Sequence, residues 1–356
     1  MNAPARKRYV FTSANLAYTS KVFALAESVK RHERDVHFVW ALVENASSDT
    51  PAFPAVDEIL RVGNLPEDWP TRFRELSVVE ACTAVKGSVL ATLLARPDCA
   101  SVTYLDPDIY VYGQLDPIWA ALSDASVILT PHLLAPSRTF RGILDNEVSA
   151  LKHGIYNLGF ITVTPDEVGK AFAEWWRVRL WDYCLNRPDL GLFTDQRWID
   201  HVPVFFERVH VLRHLGCNVA SWNLGERDLS QRDGTVFVGD DPLIFWHFSS
   251  VDNVAHVVMT ERYAGNEIPR QISAQYRSVL ERYRHFDSPS PWSFRRASRR
   301  RARLNPAALG HRMFESLRTG PLGPLVRSLV PPEVRERVRR RLAPTTPETE
   351  RPRGGP

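Results

Sequence analysis

Two aspartates separated by one residue are the feature of this sequence that most clearly indicates chemistry. Asp106 and Asp108 lie in Tyr-Leu-Asp-Pro-Asp, directly after the apolar run 101–105. In an extended segment residues i and i+2 point to the same side, so both carboxylates can converge on one cation. Two like charges at the edge of a core need compensation by a cation or by hydrogen bonds. The spacing favours a divalent-metal site, and a turn capped by aspartates is the alternative.

A candidate third metal ligand comes from a distant segment. His247 lies within Trp-His-Phe-Ser, in the apolar run 243–249. Two carboxylates and one imidazole suit Mn²⁺ or Mg²⁺ better than Zn²⁺. Such a metal bridges a diphosphate and neutralises the charge that develops as the diphosphate leaves. A histidine in an apolar segment is also often an ordinary core residue, and the sequence leaves that alternative open.

Three more polar residues are candidates for contacting the rest of such a substrate. Lys86 is a candidate phosphate contact, and Asp195 with Gln196 is a candidate pair for orienting a substrate hydroxyl. A solvated helix lysine and an acid at a helix N-terminus are the ordinary alternatives. The sequence contains no GxxxxGK[ST] and no GxGxxG after the first predicted strand. Their absence argues against a P-loop protein and against a dinucleotide-binding domain of the usual kind.

Alternating strands and helices must position these residues. The hydrophobic pattern predicts strands at 8–13, 36–43, 101–105, 126–130, 154–163, 235–238 and 243–249, and helices at 15–32, 73–95 and 269–283. The segment 36–43 is almost continuously apolar, as in a strand that a parallel sheet buries on both faces. The pattern therefore predicts the α/β class, with helices on both faces of a mainly parallel sheet. Ligands bind such sheets at the carboxyl ends of the strands.

Charge is distributed unevenly along the 356 residues. Residues 289–356 hold 16 Arg, no Lys and 5 Glu, a net charge of +11, whereas the whole chain carries +4 and residues 1–288 therefore −7. We predict one acidic globular body, 1–288, and an Arg/Pro-rich basic tail, 289–356, that is partly helical or disordered. The stripe Val334, Val338 and Leu342 with its flanking arginines indicates a helix that lies on an anionic membrane surface. A disordered tail without that role is the alternative.

The remaining composition predicts a cytoplasmic protein. No apolar run approaches the roughly 18 residues of a membrane span, and the first residues lead into a strand without a signal-peptide core. The four cysteines are scattered without CxxC spacing, which predicts free thiols. The acidic body and the lack of aromatic residues between the tail arginines argue against nucleic acid as a partner. The basic tail predicts peripheral association with the cytoplasmic face of the membrane.

An ordered series of motifs carries a resemblance to a known family. The series is FTSANLAY at 11–18, Lys86, YLDPDIYVYG at 104–113, LTPHL at 129–133, YNLGF at 156–160, DQRWID at 195–200, GCNVASWNL at 216–224 and FWHFS at 245–249. Over about residues 8 to 285 the chain resembles nucleotide-sugar-dependent glycosyltransferases of the GT-A fold, and it is most similar to family-eight-like bacterial enzymes. The resemblance implies a mixed, mainly parallel sheet flanked by helices.

The resemblance implies a role for each matching residue. Asp106 and Asp108 would be the DxD pair that binds Mn²⁺ or Mg²⁺, with His247 completing the coordination. Lys86 would approach the diphosphate or the sugar, and Asp195 and Gln196 would face the donor sugar near the reacting carbon. The remaining matches would hold the nucleoside, implied to be uridine (Thr12, Ser13, Asn15 and Tyr18), line the sugar pocket (Asn157 and Gly159) or help to close the site (Asn218).

The implied activity is sugar transfer, with retention at the anomeric carbon, from a nucleotide-diphosphate donor to a glycan or lipid-linked acceptor, as in polysaccharide biosynthesis. The sequence departs from the family after His247, where a glycine and then a basic residue are common. Ser250 and the acidic Asp252 occupy this region instead.

Two other functions remain as alternatives. A sugar nucleotidyltransferase would normally carry a glycine-rich, basic loop after the first strand, and Thr-Ser-Ala-Asn at 12–15 contains no glycine. A degenerate body that only binds glycan or docks to membranes is the non-enzymatic alternative. The intact Asp106, Asp108 and His247 argue against it.

Overall fold

The computed structural model describes residues 6–44, 49–288 and 294. The chain divides into two units, 1–295 and 296–356, and everything described below belongs to the first. Apart from Phe294, the predicted basic tail 289–356, with its stripe at Val334, Val338 and Leu342, lies outside the described residues. The body–tail boundary near residue 288 therefore stays a prediction.

Strands and helices alternate along the described chain. The strands are β1 Lys7–Ala14, β2 His37–Leu42, β3 Glu58–Arg61, β4 Cys99–Leu105, β5 Ile109–Val111, β6 Val127–Pro131, β7 Tyr156–Val163, β8 Asn186–Arg187, β9 Leu192–Phe193, β10 Val209–Val211, β11 Leu229–Arg232, β12 Thr235–Val238, β13 Asp241–Pro242 and β14 Phe245–His247. The helices are α1 Thr19–His32, α2 Trp69–Phe73, α3 Val78–Ala84, α4 Lys86–Leu94, α5 Asp116–Ala121, α6 Phe140–Gly142, α7 Val148–His153, α8 Glu167–Tyr183, α9 Val202–Phe205, α10 Val254–Tyr263 and α11 Ile268–Tyr283. None of these helices combines the length and the apolar character needed to cross a bilayer.

A seven-stranded sheet forms the centre of the fold. Its strand order is β10-β6-β7-β4-β1-β2-β3. Neighbouring strands are parallel except for β7, which runs antiparallel to both β6 and β4. Successive side chains of β1 enter opposite layers: Phe11 packs in one core with Leu90 and Trp176, and Val10 in another with Phe23. This mixed, mainly parallel sheet with helices on both faces confirms the predicted fold class.

A two-stranded ribbon extends the fold beyond the end of β4. Strand β5 pairs antiparallel with β14, and the register sets His247 opposite Ile109. Phe248, the next residue after β14, stacks on Tyr276 of α11 with ring centroids 3.9 Å apart. This contact anchors the ribbon in a third apolar cluster. The predicted strand 243–249 is therefore a shorter strand that pairs with β5 rather than with the central sheet.

The prediction of one helix over 73–95 was wrong. Two helices, α3 and α4, occupy this region after α2 ends at Phe73, and a capping box marks the start of α3. The Ser77 side chain accepts from the backbone N–H of Glu80, whose carboxylate accepts from the Ser77 N–H, and this capping box starts α3 afresh. Only Val85 separates α3 from α4. The break sets Lys86 at the first position of α4.

Candidate functional site

Asp106, Asp108 and His247 come together at the carboxyl end of β4. The Nε2 atom of His247 lies 3.2 Å from Oδ1 of Asp108 and 3.7 Å from Oδ2 of Asp106. One ligand atom from each residue lies within 4.8 Å of the other two. The structure thus brings together the three side chains that the sequence singled out as metal ligands.

Backbone hydrogen bonds hold these three residues in place. The Asp106 N–H donates to the Gly159 carbonyl at 2.8 Å, and the Phe248 N–H donates to the Asp108 carbonyl at 2.8 Å. Gly159 itself leaves room for the imidazole, because a Cβ atom there would lie 2.4 Å from Cε1 of His247. The glycine predicted to line the sugar pocket is therefore packed against the His247 ring.

A chain of hydrogen bonds fixes the orientation of the His247 ring. The side-chain oxygen of Asn157 accepts from the Gly159 N–H and from Nδ2 of Asn218, and it lies 3.2 Å from Nδ1 of His247. An oxygen used in this way requires Nδ1 of His247 to be the donor, which leaves Nε2 free to face the two carboxylates. Metal-binding histidines commonly use one ring nitrogen in this way, for a hydrogen bond that fixes the ring. The donor set and its support fit a divalent cation.

His132 fixes the Asn157 amide in turn. Nδ2 of Asn157 donates to Nε2 of His132 at 3.2 Å, and Nδ1 of His132 lies 3.3 Å from the Ile155 carbonyl. Burial lowers the pKa of His132 to about 4, so the ring is neutral at pH 7 and its Nε2 can accept. His132 was not among the site residues predicted from the sequence. His132 directly follows β6, within LTPHL, so it could have been found by the rule that identified Asp106, namely that ligands bind at the carboxyl ends of the strands.

The charges of Asp106, Asp108 and His247, together called the triad, favour a cation between them. Burial alone would lower the pKa of His247, but Asp108 and Asp106 outweigh burial and raise it. Burial alone would raise the pKa of Asp108, but the positive charge of His247 outweighs it and lowers that pKa. The two carboxylates thus stabilise positive charge at the position between them.

Lys86 links the metal residues to Asp195. Its ammonium donates to Oδ2 of Asp195 at 2.8 Å, to Oδ1 of Asp106 at 3.3 Å and to the Leu158 carbonyl at 3.0 Å, and the side chain is only 2% exposed. Burial works against the charge, but Asp106 and Asp195 outweigh burial and raise the pKa of Lys86. The solvated helix lysine considered as the alternative does not describe this residue.

Asp195 and Gln196 lie side by side in the cleft wall but have different surroundings. Oδ1 of Asp195 accepts from the Thr194 hydroxyl at 3.0 Å, and burial raises the pKa of Asp195 despite the charge of Lys86. Both polar atoms of the Gln196 side chain make hydrogen bonds to the backbone. Its Oε1 accepts from the Leu158 N–H at 3.0 Å, and its Nε2 donates to the His153 carbonyl at 3.1 Å. Gln196 therefore holds two backbone segments of the cleft wall together, whereas Asp195 forms an ion pair with Lys86.

The residues predicted to hold the nucleoside lie at the end of β1, the neighbour of β4. Thr12, Ser13 and Asn15 are buried, whereas Tyr18 is exposed. The Ser13 hydroxyl donates to the Cys82 carbonyl and lies 3.4 Å from the Tyr104 hydroxyl, which itself donates to Asp106. The Thr12 hydroxyl is buried and has no hydrogen-bond partner among the residues that the structure describes. Ser13 is thus two hydrogen-bonded steps from the triad.

A cleft of about 390 Å³ opens above the triad. The predicted site residues in its wall are Lys86, Asp106, Asp108, Asn157, Asp195, Gln196 and His247, whereas Thr12, Ser13, Asn15, Tyr18, Gly159 and Asn218 lie outside that wall. Asn218 is buried outside the wall, and its side-chain amide donates hydrogen bonds to Thr130 and to the wall residue Asn157.

The cleft also contains residues that the sequence analysis missed. Trp222 meets the His247 ring edge-on, with centroids 5.2 Å apart. Asn146, on the helical segment that leads into α7, contributes a buried side-chain oxygen for which residues 6–44 and 49–288 supply no hydrogen-bond partner. No pattern in the sequence marks Asn146, since its segment contacts the cleft only in the folded chain.

Comparisons with known proteins give distant likenesses. No family model matches the chain. It is 33% identical over 193 residues to the uncharacterized protein YfnF of Bacillus subtilis (strain 168), which covers 51% of this chain and 62% of YfnF. It is 30% identical over 173 residues to the uncharacterized protein YfnD of the same strain, which covers 48% of this chain and 53% of YfnD. The chain thus spans only part of the length of these curated relatives.

Solved structures show a likeness over more of the chain. The galactosyltransferase LgtC, solved with donor and acceptor sugar analogs, is 16% identical, with a TM-score of 0.44, and the match covers 77% of this chain and 95% of LgtC. The glycosyltransferase GlyE of Streptococcus pneumoniae TIGR4 is 14% identical, with a TM-score of 0.44, and that match covers 80% of this chain and 65% of GlyE.

Proposed function

We propose that this chain is a metal-dependent glycosyltransferase that moves a sugar from a nucleotide-diphosphate donor to a glycan or lipid-linked acceptor. The observation that carries the proposal is the convergence of Asp106, Asp108 and His247 at the floor of one cleft. The donor we propose is a UDP-sugar, with retention at the anomeric carbon, as the motif resemblance implies. The acceptor class fits polysaccharide biosynthesis.

The chain supplies a prepared site for the cation. Asp106 and Asp108 offer carboxylate oxygens, and Nε2 of His247 offers a nitrogen whose direction Asn157 and His132 fix. Oxygen ligands with a single imidazole suit Mn²⁺ or Mg²⁺. When bound, such an ion stabilises the negative charge of a departing diphosphate.

The wall of the cleft would position the sugar. Because Lys86 already donates to two carboxylates, its role is to hold Asp106 and Asp195 at fixed positions rather than to bind the substrate directly. Asp195, held in this way, would face the donor sugar near the reacting carbon. Gln196 keeps β7 and the end of α7 together around it. Prepositioned polar groups of this kind lower a reaction barrier because they need no rearrangement during the reaction.

Two regions would bind the remaining groups, one at the end of β1, outside the cleft wall, and one within the cleft itself. The nucleoside would lie at the end of β1, against Thr12, Ser13, Asn15 and Tyr18. The acceptor would enter beside Trp222 and Asn146, where an aromatic face and an unpartnered amide oxygen suit a sugar ring and its hydroxyls. A lipid-linked acceptor would also agree with the predicted membrane contact of the basic tail.

Turnover of UDP-sugars with Mn²⁺ tests the proposal. We expect the wild-type chain to hydrolyse or transfer from at least one UDP-sugar, and Asp108→Asn to lower that rate by about 100-fold because it removes a carboxylate ligand without changing its shape. Asp35→Asn, at an exposed position away from the cleft, is the matched control and should leave the rate unchanged. Full activity of the Asp108→Asn variant would defeat the assignment of the metal site.

A further inference from the structure

Lys21 is a largely buried cation near the site with no role in the network described above. It lies in the first turn of α1, and its side chain is 14% exposed. Its ammonium lies 4.5 Å from the centre of the Tyr18 ring and 3.8 Å from Oδ2 of Asp252, whose side chain is 60% exposed. The direct partners of Lys21 are therefore an aromatic face and a distant, solvated carboxylate, and its charge also helps to lower the pKa of Asp108.

The three N–H donors of Lys21 are unused within the described part of the chain. None of the described residues accepts a hydrogen bond from this ammonium. Lys30, on the same helix, donates to the Val36 carbonyl at 2.6 Å and pairs with Asp57 at 2.6 Å. An ammonium whose donors the fold leaves without protein acceptors is available to a ligand that supplies them.

The position of Lys21 indicates which ligand this is. Asp252 follows the metal ligand His247 by five residues, and the turn between them passes through Ser250 in the left-handed region, with φ of 56°. Tyr18, on the other side of Lys21, belongs to the residues proposed to hold the nucleoside. The ammonium thus lies between the nucleoside end and the metal end of the proposed donor site. The diphosphate of a nucleotide donor must lie between those ends.

The charge balance of the site leaves room for one more cation. Asp106 and Asp108 together match a divalent ion, and Lys86 is occupied by Asp106 and Asp195. The negative charge of a diphosphate is then not yet matched by the residues named so far. A lysine ammonium is a common partner for phosphate oxygens.

We propose that Lys21 binds the diphosphate of the nucleotide donor, and that Asp252 holds its ammonium until the donor arrives. The inference rests on the proposed function and deepens it. The ion pair with Asp252 at 3.8 Å, without a hydrogen bond, is weak enough to be exchanged for a phosphate oxygen. Lys21 would supply from α1 the positive charge that the segment after His247 lacks.

Titration of the full chain with UDP in the presence of Mn²⁺, followed by calorimetry, tests this role. We expect Lys21→Met to weaken UDP binding by about 10-fold or more, because charge-assisted hydrogen bonds to phosphate are lost. Lys21→Arg keeps the charge and should stay within about threefold of the wild type. Asp252→Asn removes the competing carboxylate and should tighten binding by about two- to fivefold. Arg34→Met, which removes an exposed positive charge just after α1, is the matched control and should leave the affinity unchanged.

The outcomes separate this inference from the proposed function. A wild-type chain that binds UDP, together with a Lys21→Met variant that remains folded and binds it equally well, would overturn the role of Lys21 alone. Equal losses in Lys21→Met and Lys21→Arg would also overturn it, because they would show that packing rather than charge matters. Weaker binding by Asp252→Asn would contradict the holding role of Asp252. A wild-type chain that binds no nucleoside diphosphate with Mn²⁺ or Mg²⁺ would overturn the proposed function itself.

Discussion

At the scale of single residues, the site depends on side chains that contact one another rather than on side chains that point independently at a substrate. The His247 ring is held by Asn157, and its position requires that residue 159 has no side chain. Lys86 neutralises Asp195 within the core, where neither charge would be stable alone. Two substitutions test these dependencies separately.

Gly159→Ala tests whether the close approach of His247 to the backbone matters for metal binding. A Cβ at this position would lie 2.4 Å from Cε1 and 2.6 Å from Nδ1 of His247, so the ring must move. We expect a loss of about 1–3 kcal/mol in the free energy of unfolding and an Mn²⁺ affinity about tenfold lower, measured by urea denaturation and calorimetry. Gly63→Ala, where a Cβ would meet no atom of the described part of the chain within 4 Å, is the control. Wild-type Mn²⁺ affinity in Gly159→Ala would show that the ring is not a ligand in this position.

Lys86→Met tests the buried ion pair. Removing the ammonium leaves the Asp195 carboxylate in a site where its side chain is 4% exposed, next to Asp106. Breaking a buried pair in this way costs about 3–5 kcal/mol of unfolding free energy, which urea denaturation at pH 7 would measure. Adding Asp195→Asn should recover part of the loss because it removes the uncompensated charge. Lys170→Met, at an exposed position of α8, is the control, and an equally small loss in both lysine variants would contradict the prediction.

At the scale of elements, short segments determine the site more than the long ones do. The β5–β14 ribbon brings His247 next to Asp108, although the two lie 139 positions apart in the sequence. The break between α3 and α4 directs Lys86 toward the end of β4. At the far edge of the sheet, β3 is held by an ion pair between Glu58 and Arg96, which follows α4.

The pH dependence of Glu58→Gln tests how strongly this pair holds the sheet edge. Two hydrogen bonds of 2.7 Å from Arg96 lower the pKa of Glu58 below its ordinary value. A carboxyl group whose pKa is lower in the folded chain stabilises the fold above its unfolded pKa, about 4.3, and loses that effect as the pH falls through the folded pKa. We therefore expect Glu58→Gln to cost about 1–2 kcal/mol at pH 7 and progressively less below about pH 4, by urea denaturation.

The matched control for this measurement is Glu281→Gln. Its partner Arg284 and Glu281 itself are both largely exposed, so the pair contributes little. A Glu58→Gln penalty that stays constant from pH 7 down to about pH 3 would show that packing, not the carboxylate charge, is responsible.

At the scale of the whole molecule, the sequence predicts an acidic body and a basic tail. The net charge of +11 in residues 289–356, against −7 in the rest, predicts that the tail carries any attraction to an anionic surface. The acceptor that we propose includes lipid-linked glycans. Such an acceptor would require the cleft to work close to a membrane.

Neutralising the tail arginines tests this prediction on the full chain. We expect the wild type to sediment with phosphatidylserine-containing vesicles but not with pure phosphatidylcholine vesicles. Changing Arg335, Arg337, Arg339, Arg340 and Arg341 to glutamine should abolish that binding, since each arginine near an anionic surface contributes about 1 kcal/mol. UDP-sugar hydrolysis by the same variant serves as the control and should remain at the wild-type level. Vesicle binding that survives the five changes would assign the attraction to another part of the chain.

Much of the fold and of the candidate site was predictable from the sequence. Strands buried on both faces are continuously apolar, so β1, β2, β4, β6 and β7 were all anticipated. The strand-end rule then located Asp106 and Asp108, because the spacing of two residues sets both carboxylates on one side. The short strands β3, β5 and β10 were missed, since three or four residues carry too little periodicity to identify a strand.

What the sequence determined by itself is therefore the local chemistry: which residue types occur, at which spacing, and at the ends of which apolar strands. Only the tertiary structure decided which of them meet. The β5–β14 register, the fixed amide of Asn157 and the commitment of Lys86 to two carboxylates all depend on contacts between segments far apart in the chain. Such contacts produce no hydrophobic periodicity in either segment, because each side chain packs against a residue that is distant in the sequence rather than against its sequence neighbours.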